Sequence, residues 1–397
     1  MKVINILSKQ INASYIVLVF VSLFLCLSLY ASDDTEMTFL QYNPSSITKA
    51  LGGDLSGIAD VWHSNPLVNW GNPAIPCFHD GIAVGITHVK IYKIIDFYGS
   101  NWNCDYYGSN LNIGYNGIGL SVPFINNNNN FGSTMYIEPA WGSYEHGVYT
   151  SGGYLDGNVQ SYGISLNPIK AFSMARKSYF LEHFELAVGA TYNKAKTNGE
   201  FFPFEFINPN YNINTSYTNV GLIAKYNNHD LSLFDFEVSF GSMIFNIENN
   251  KAVYSSDFNN NTYPIGQDFR NGFGISLELP INRVLGKDID FNIPFNKIIS
   301  CRGYAGANYS KELYEAMGLG VELGLLDLLY IRNGYYKNYG DGASGHTYGF
   351  GIRPYYKDII SFEVNYANNK DVYPELSGYN HAWDFMLLIN IAPLISK

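Results

Sequence analysis

The stretch Met317-Gly-Leu-Gly-Val-Glu-Leu-Gly-Leu325 decides the fold, because its side chains alternate in character with a period of two. The odd-numbered positions are large and apolar, and each residue between them is glycine or glutamate. Successive side chains of a β-strand point to opposite faces. The stretch therefore predicts a strand with one apolar face and one small or polar face.

The same period recurs along most of the chain after Gly81. Counting the alternating segments gives roughly fourteen or fifteen, and closure of a barrel favours an even number, so we predict about fourteen strands. No composition break or fixed-period repeat divides this region. Further clear examples of the alternation lie at 219–226, 272–279, 347–353, 360–366 and 383–391.

Two architectures fit this pattern. In a soluble sandwich the apolar faces meet in a core, whereas in a transmembrane barrel they face lipid and the polar faces line the lumen. The candidate strands run about ten residues, the length that spans a bilayer when tilted. Tyrosines also collect at strand ends, as interfacial girdles do. They are Tyr330, Tyr335, Tyr336, Tyr355 and Tyr356.

The connections between strands are unequal in length. The turn at 357–358 is tight, whereas 126–130, 246–271 and 340–345 are polar and open. Short turns on one side and long loops on the other are typical of outer-membrane barrels. We therefore predict an all-β fold, a transmembrane antiparallel β-barrel, with a secreted β-sandwich or adhesin as the remaining alternative.

Composition excludes several other classes. The chain has 397 residues, 47% hydrophobic and only 15% charged, with 33 Tyr, 26 Phe and 38 Gly. Its mean hydropathy of -0.07 is too low for a helical membrane protein, and aromatic, glycine-punctuated sequence favours β structure. The net charge of -10 excludes a nucleic-acid partner, because phosphate binding needs clustered Lys and Arg.

The chain divides into three predicted parts. Residues 1–31 carry two lysines, an apolar block and Ala31, which predicts a cleaved signal peptide. An uncleaved anchor helix and lipidation at Cys26 are the alternatives. Residues 32–80 are rich in Gly, Pro, Ser and Asn, and we interpret them as an N-terminal plug or latch segment or, alternatively, as a flexible lead-in. Residues 81–397 form the barrel.

Cysteine and histidine spacing gives no support for a metal site or a catalytic site. Export leaves Cys77, Cys104 and Cys301, so at most one intrachain disulfide forms, and sequence proximity favours Cys77 with Cys104. No Cys-x-x-Cys or His-x-x-x-His spacing occurs, and the segment 342–345 lacks the helix that follows a nucleophile elbow. We predict no cofactor, no metal and no enzymatic activity.

Charged residues on the polar faces of the strands are expected inside the barrel. A cation facing the bilayer midplane costs about 2–4 kcal/mol, so such side chains point inward. Structural pairing inside a narrow barrel is the simpler expectation, with Arg353 pairing Glu363 or Glu322, and a ligand site is the alternative. The candidates are Glu278, Glu322, Arg353, Glu363 and Asp384.

The opening of the chain resembles the PorV/PorQ family of FadL-like outer-membrane barrels. Phe39-Leu40, Ser45-Ser46, Ala50-Leu-Gly-Gly53, Ala59-Asp60 and Asn72-Pro-Ala74 follow that order, and 318–322, 331–335, 348–352 and 362–367 are similar to the family's last hairpins. Ile75-Pro76 and a rival Asn65-Pro66 depart from the pattern. The plug and turn positions implied are Ala50, Leu51, Gly52, Gly53, Ala59, Asp60, Asn72, Pro73 and Ala74.

The resemblance implies an outer-membrane location in a Gram-negative-type cell and two functions. The first is a non-enzymatic accessory role in type IX-like protein secretion, with other secretion-system subunits or cargo proteins as partners. The alternative is a FadL-type channel for hydrophobic small molecules such as long-chain fatty acids or aromatic compounds. Outer-membrane lipid is a partner in both cases.

Overall fold

The computed structural model describes most of the chain after Ser45. The described residues are 45–53, 58–63, 65–67, 71–95, 100–124, 130–133, 143–144, 147–148, 152–173, 179–202, 210–229, 233–255, 260–264, 267–285, 297–310, 316–338, 344–356, 359–370 and 379–391. The predicted signal peptide, Cys26 and Phe39-Leu40 lie outside them. No helix within these ranges is long and apolar enough to span a membrane.

The helices are short, and most of the described residues lie in strands. The helices are α1 Ser46–Ala50, α2 Ile58–His63, a 3-10 helix Ile75–Phe78, α3 Pro168–Ala171, α4 Tyr179–His183 and α5 Ile281–Leu285. The strands are β1 Gly81–Ile95, β2 Ser100–Tyr115, β3 Ile118–Val122, β4 Asn130–Ser133, β5 Ser143–Tyr144, β6 Gly147–Val148, β7 Gly152–Leu166, β8 Phe184–Phe202, β9 Asn210–Asn228, β10 Asp235–Phe245, β11 Lys251–Ser255, β12 Asn260–Pro264, β13 Asp268–Pro280, β14 Lys297–Ser310, β15 Ala316–Leu325, β16 Leu329–Asn338, β17 Ser344–Ile352, β18 Tyr355–Tyr356, β19 Ile360–Lys370 and β20 Tyr379–Asn390.

All the strands except β5 and β6 form one closed antiparallel sheet. Closure follows from β1, which pairs with β2 on one side and with β20 on the other. The pairs β3–β4, β10–β11, β12–β13 and β17–β18 are each one barrel strand made of two segments. Counted over the described ranges, the ring therefore has fourteen barrel strands, as predicted.

The two rims of the barrel differ. Residues with positive φ form tight turns at Asn116-Gly117 and Leu326-Asp327, and both turns lie at the rim where β1 begins and β20 ends. The same rim also carries the connections 167–183 and 281–296, which contain α3, α4 and α5, while the connections after Ile95, Phe202 and Lys370 lie at the opposite rim. Tight turns mark the periplasmic rim of an outer-membrane barrel, so the opposite rim lies outside the cell.

The side chains of the wall are arranged opposite to those of a soluble protein. On β15, Leu319, Val321 and Leu323 are half-exposed on the outer surface, whereas Glu322 is 1% exposed. The same order of apolar outside and polar inside holds on β17 and β19, where Phe350 and Phe362 are exposed and Thr347 and Glu363 are buried. An apolar outer belt around a polar interior is what a membrane barrel requires.

The described residues of the N-terminal segment (45–80), namely 45–53, 58–63, 65–67 and 71–80, lie inside this ring. The segment's apolar side chains form a core with inward-facing wall residues. That core includes Ile47, Leu51, Ile58, Val61 and Ile75 from the segment and Ala187, Ile223, Tyr304 and Met386 from the wall. Residues Ser46–Ala50 form α1, which Leu51 ends as its C-cap.

Glycines on the inner wall lie where the segment passes closest. A Cβ on Gly320 would lie 2.8 Å from both Cα and Cβ of Leu51, and one on Gly349 would lie 2.6 Å from Cβ of Ala50. Gly189 and Gly221 face Pro73 and Asn72 in the same way. The glycine-rich polar face seen in the sequence is therefore largely the contact surface of the N-terminal segment.

Three expectations are wrong in detail. Tyr330 is not a girdle residue, because it points inward, is 1% exposed and donates a hydrogen bond to the Asp327 carbonyl at 3.0 Å. The range 246–271 is not only loop, since β11, β12 and the start of β13 continue the wall there. The longest strands, β8 and β9, have 19 residues each and exceed the span needed to cross a bilayer.

The expected disulfide between Cys77 and Cys104 is absent, because Cys77 is a free, buried cysteine. Cys77 lies beside Gly119 near the periplasmic rim, whereas Cys104 pairs with Ile91, far along β2 toward the other rim. Bridged cysteines need Cα atoms within about 7 Å, so closeness in sequence was misleading here.

Candidate functional site

Asp384 of β20 anchors the start of α1 inside the barrel. Its Oδ2 accepts hydrogen bonds from the backbone N–H of Ser46 at 2.7 Å and from the Ser46 hydroxyl at 2.6 Å. Its Oδ1 accepts from the Thr87 hydroxyl at 2.6 Å. A carboxylate at the exposed N–H groups of a helix start satisfies donors that have no partner within the helix. The predicted lumen residue Asp384 thus holds the N-terminal segment to the wall.

A second carboxylate, Asp60 of α2, ties the segment to itself. It accepts hydrogen bonds from Ser45 Oγ at 2.9 Å, Asn65 Nδ2 at 2.7 Å and Thr48 Oγ1 at 3.3 Å. Burial raises the pKa of the Asp60 carboxyl, and the hydrogen bonds from Asn65, Ser45 and Thr48 act against that rise. Asp60 of the Ala59-Asp60 motif therefore joins the start of α1 to α2 and to Asn65 by hydrogen bonds.

His63, at the end of α2, lies between two glutamates of the wall. Its Nε2 is 2.7 Å from Glu322 Oε2, and its Nδ1 is 3.1 Å from Glu363 Oε1. All three side chains are fully buried, and the imidazole contacts the Tyr330 ring edge-on at 4.7 Å between centroids. The histidine couples the segment to β15 and β19, which lie on the same side of the barrel.

Two arginines of the wall complete this charge network. Arg302 Nη1 donates to Glu322 Oε1 at 2.7 Å and Arg332 Nε donates to Glu322 Oε2 at 2.6 Å. Arg302 also donates to Glu278 at 2.9 Å, and Glu278 pairs with Lys297 at 2.5 Å. A buried charge is tolerated only when it is paired and hydrogen-bonded, and removing one partner is strongly destabilising.

Of the five predicted lumen charges, Glu322, Glu363 and Asp384 are buried inside the barrel. Arg353 lies at the periplasmic rim, where it is 3.7 Å from Glu363, one of its two expected partners, and stacks over Tyr355. Glu322 pairs with Arg302, Arg332 and His63 and not with Arg353. Alternation indicates the face of each carboxylate, but it does not identify the partners of Glu322.

His63, Arg302 and Arg332 were missed in the sequence. The two arginines carried a usable signal, since Arg332 occupies the face of β16 opposite Ile331. Arg302 has the same parity on β14 as the buried Tyr304 and Gly306. His63 carried none, because its role depends on the path of the N-terminal segment through the lumen.

Asn72 and the 3-10 helix form the periplasmic end of the segment. Asn72 Nδ2 donates to the carbonyls of Leu222 and Ser242, each at 3.0 Å, and its Oδ1 accepts from the Ala74 N–H at 3.0 Å. Burial raises the pKa of the Cys77 thiol to about 12. Burial, aided by nearby Lys225 and Arg353, lowers the pKa of His79 to about 3, so His79 is neutral at physiological pH.

The structure describes the third barrel strand in two parts, β3 and β4, and residues 125–129 between them lie outside the described residues. Val122 of β3 pairs with Leu111 and Phe131 of β4 pairs with Tyr106, so the register against β2 shifts by four residues between these two pairs. Beside Val122, Asn110 Nδ2 donates to the Pro66 carbonyl at 2.5 Å and to Ser121 Oγ at 2.8 Å. The segment's turn at Pro66 therefore lies against β2 and β3 where this register shift begins.

Within the described residues, no group of three or more His, Cys, Asp or Glu side chains is placed to hold a metal ion. No family model matches the chain and no curated protein matches it, so the resemblance to the PorV/PorQ family stays a prediction. The chain is, however, similar to solved structures.

Three of these structures illustrate the similarity. The toluene transporter TbuX of Ralstonia pickettii is 9% identical with a TM-score of 0.48, and the match covers 89% of this chain and 99% of that one. The toluene transporter TodX of Pseudomonas putida is 11% identical, with a TM-score of 0.44 and coverage of 91% and 98%. A FadL homologue of Pseudomonas aeruginosa is 11% identical, with a TM-score of 0.42 and coverage of 88% and 98%.

Proposed function

We propose that the protein is an outer-membrane channel for small hydrophobic molecules that its N-terminal segment closes. The observation that carries the proposal is the reach of this segment, which contacts every barrel strand in the described ring. On one side it contacts β15, β16, β17, β19 and β20 through α1 and His63, and on the other β2, β3, β7 and β8 through the 3-10 helix and its flanks. Pro66, Ile58, Trp62 and Asn72 reach β1, β13, β14, β9 and β10.

Because the segment contacts the wall on every side, it closes the lumen at the height where it lies. A solute then passes only if the segment moves or if a path leads around it. We place such a path beside Pro66, where the described ladder of the third barrel strand shifts its register against β2. The ladder between β2 and β4 resumes only at Tyr106, and the neighbouring strand β7 regains its partner only at Asn158. A molecule that leaves there enters the hydrocarbon region, which suits an apolar solute and not an ion.

The apolar core between segment and wall supports the same solute class. Ile47, Leu51, Ile58 and Ile75 of the segment contact Ala187, Ile223 and Met386 of the wall. A water-filled pore would present polar side chains along its whole length. Small movements of the segment would instead open an apolar space between these side chains.

The secretion role implied by the opening motif is the second candidate, and the structure limits how it would work. Eight of the nine motif residues are buried, and Gly53 is only partly exposed, so the motif cannot itself be a docking surface. A secretion partner would have to bind the long extracellular connections. The motif's positions here instead serve the contact between segment and wall.

The test measures uptake by proteoliposomes that contain the purified full-length protein. Toluene and oleate serve as apolar probes, and glucose serves as a polar probe. We expect the apolar probes to enter faster than into protein-free liposomes and glucose to enter at the same rate in both. Equal rates for all probes would contradict the proposal. Cells that lack the protein and retain cargo proteins in the periplasm would favour the secretion role.

A further inference from the structure

The outer surface of the barrel carries an open cleft of about 580 Å3 across β7, β8 and β9. This surface faces away from the lumen, because its side chains alternate with buried Ser161, Asn193 and Tyr217 on the same strands. The cleft is therefore separate from the N-terminal segment and from the charge network. Its polar lining includes Asn158, Gln160, Lys194, Lys196, Asn214 and Ser216.

The strand register arranges these side chains in two rows. Lys194 lies directly between Gln160 and Ser216, and one step nearer the extracellular rim Lys196 lies between Asn158 and Asn214. Directly opposite residues on neighbouring strands have Cβ atoms about 5 Å apart, so each lysine has an amide and a second polar side chain within reach. Two cations and four hydrogen-bonding side chains thus share one cleft.

The cleft lies directly above an aromatic pair and the apolar belt. Tyr162 and Tyr192 are a cross-strand pair in the next row toward the periplasm, and each is 43% exposed. Below them, Ile164 and Val188 belong to the exposed apolar surface. Tyrosine girdles mark the boundary between hydrocarbon and headgroups. The two lysines therefore stand at headgroup height in the outer leaflet.

Both charged side chains that line the cleft are cations. Lys194 and Lys196 are exposed. Lys194 Nζ lies 5.9 Å from the centre of the Tyr192 ring. The nearby acid Glu248 is engaged elsewhere, because it accepts a hydrogen bond from the Thr218 N–H at 2.8 Å. The cleft is thus cationic at a level where membrane phosphates lie.

We propose that this cleft binds the phosphorylated headgroup of a glycolipid of the outer leaflet. A phosphate group would accept charge-assisted hydrogen bonds from Lys194 and Lys196, and the amide and hydroxyl side chains beside them would bond sugar or phosphate oxygens. Basic pockets on membrane proteins recognise lipid headgroups in this way. The inference rests on the orientation of the barrel in the membrane and not on channel function.

The test uses full-length protein in detergent and lipid A, the phosphorylated glycolipid anchor, as the probe. Native mass spectrometry measures binding to the wild type, to Lys194→Gln/Lys196→Gln and to the charge-retaining Lys194→Arg/Lys196→Arg. Lys337→Gln, at the extracellular end of β16, is the matched control for loss of one surface cation. We expect about 30-fold weaker binding in the double glutamine variant, given the usual contribution of a basic residue near anionic lipid. The arginine variant and Lys337→Gln should bind as the wild type does.

Two further arms identify the source of the phosphate. Dephosphorylated lipid A should bind the wild type as weakly as intact lipid A binds the double glutamine variant, and inorganic phosphate at the same concentration should not displace the lipid. The proposal is overturned if the double glutamine variant binds lipid A unchanged. It is also overturned if dephosphorylated lipid binds equally well, or if inorganic phosphate alone competes fully, which would make the cleft a free-anion site. Unchanged heat-modifiable migration of each variant on gels verifies the folded barrel.

Discussion

At Gly320 the inner wall of β15 and Leu51 of the N-terminal segment meet backbone to backbone. The same kind of contact recurs at Gly334, where a Cβ would lie 2.5 Å from the Thr347 hydroxyl and within contact of Gly52. Gly52 itself has a φ of +94°, a conformation that other residues rarely adopt. The segment therefore packs so closely against the wall that one added methyl group would overlap with it.

We predict that Gly320→Ala loosens the segment without disrupting the barrel. The added Cβ would overlap backbone atoms of Leu51, and overpacking of this kind costs about 1–3 kcal/mol. The undocked population should then rise by about 5- to 150-fold. Trypsin cleavage after Lys49, which is only 5% exposed in the docked segment, measures that population.

Gly303→Ala on β14 is the matched control, because nothing lies within 4 Å of its added Cβ. Its cleavage rate at Lys49 should equal that of the wild type. Equal rates for Gly320→Ala and Gly303→Ala would show that the segment does not lie against β15 as described.

His63→Ala should release α2 from the wall. The substitution leaves Glu363 with only Asn365 and two distant arginines, at 3.8 Å and 3.7 Å, and uncovering a buried charge costs about 3 kcal/mol or more. Hydrogen exchange of the amides of 58–63 should accelerate by about 100-fold, while the amides of β15 stay protected. His229 has a side chain that is 63% exposed at the periplasmic rim, so His229→Ala should leave the exchange rates of both groups of amides unchanged. Equal acceleration in both variants would contradict a special role for His63.

At the scale of elements, the segment is a chain of short pieces, each held by one polar residue. Asp384 holds α1, His63 holds α2 and Asn72 holds the approach to the 3-10 helix. A helix of five or six residues has too few internal hydrogen bonds to be stable alone. The pieces therefore depend on the wall, and conditions that weaken one contact should loosen the whole segment.

Acid should loosen the segment through His79. The pKa of His79 falls from 6.5 to about 3 in the folded protein, so below pH 6.5 the unfolded segment takes up a proton that the docked segment does not. Stability from this source is complete above pH 6.5 and is lost as pH falls toward 3. His79 retains partial exposure, so we expect a loss of about 1 kcal/mol between pH 7.5 and 5.

Urea unfolding at these two pH values, compared between the wild type and His79→Gln, isolates this contribution. On acidification, the free energy of unfolding of His79→Gln should fall by about 1 kcal/mol less than that of the wild type. Asp60, whose pKa is raised, acts in the opposite direction and is present in both proteins, so it cancels in the comparison. An identical acid response in both proteins would show that His79 does not take part.

Sequence alternation predicted the wall well and the lumen contacts poorly. Where the alternation is clear, the two faces of a strand follow from local order, and Glu322, Glu363 and Asp384 lie on the buried face. The prediction for Tyr330 was wrong. Whether a tyrosine at a strand end points into the lumen or toward lipid depends on its place in the alternation and not on its distance from the end of the strand. His63 and the lack of a Cys77–Cys104 bond depend on how residues 45–80 cross the lumen, and that path is set by contacts between residues hundreds of positions apart.

At the scale of the whole molecule, the protein combines a rigid closed wall with a separately held interior. The strand ladders pair fourteen barrel strands without reference to the segment, whereas the segment depends on side chains of the wall. Loss of docking should therefore change passage through the barrel while the barrel stays folded. This separation is the basis of the proposed gating.

The most direct test locks the segment to the wall and measures uptake. Cysteines at Ala50 and Gly349 would face each other, since a Cβ on Gly349 lies 2.6 Å from Cβ of Ala50 and a small shift gives the disulfide distance. Cys104 and Cys301 are replaced by serine, and Cys77 stays, because its raised pKa keeps the buried thiol unreactive.

Toluene uptake into proteoliposomes is then compared before and after addition of a reductant, with the cysteine-replaced parent as the control. If movement of the N-terminal segment opens the channel, the oxidised protein takes up toluene no faster than protein-free liposomes, and reduction raises the rate to that of the parent or above, because the added side chain at position 349 also crowds Ala50. Uptake that is equally fast in the oxidised and the reduced protein would contradict gating by the segment.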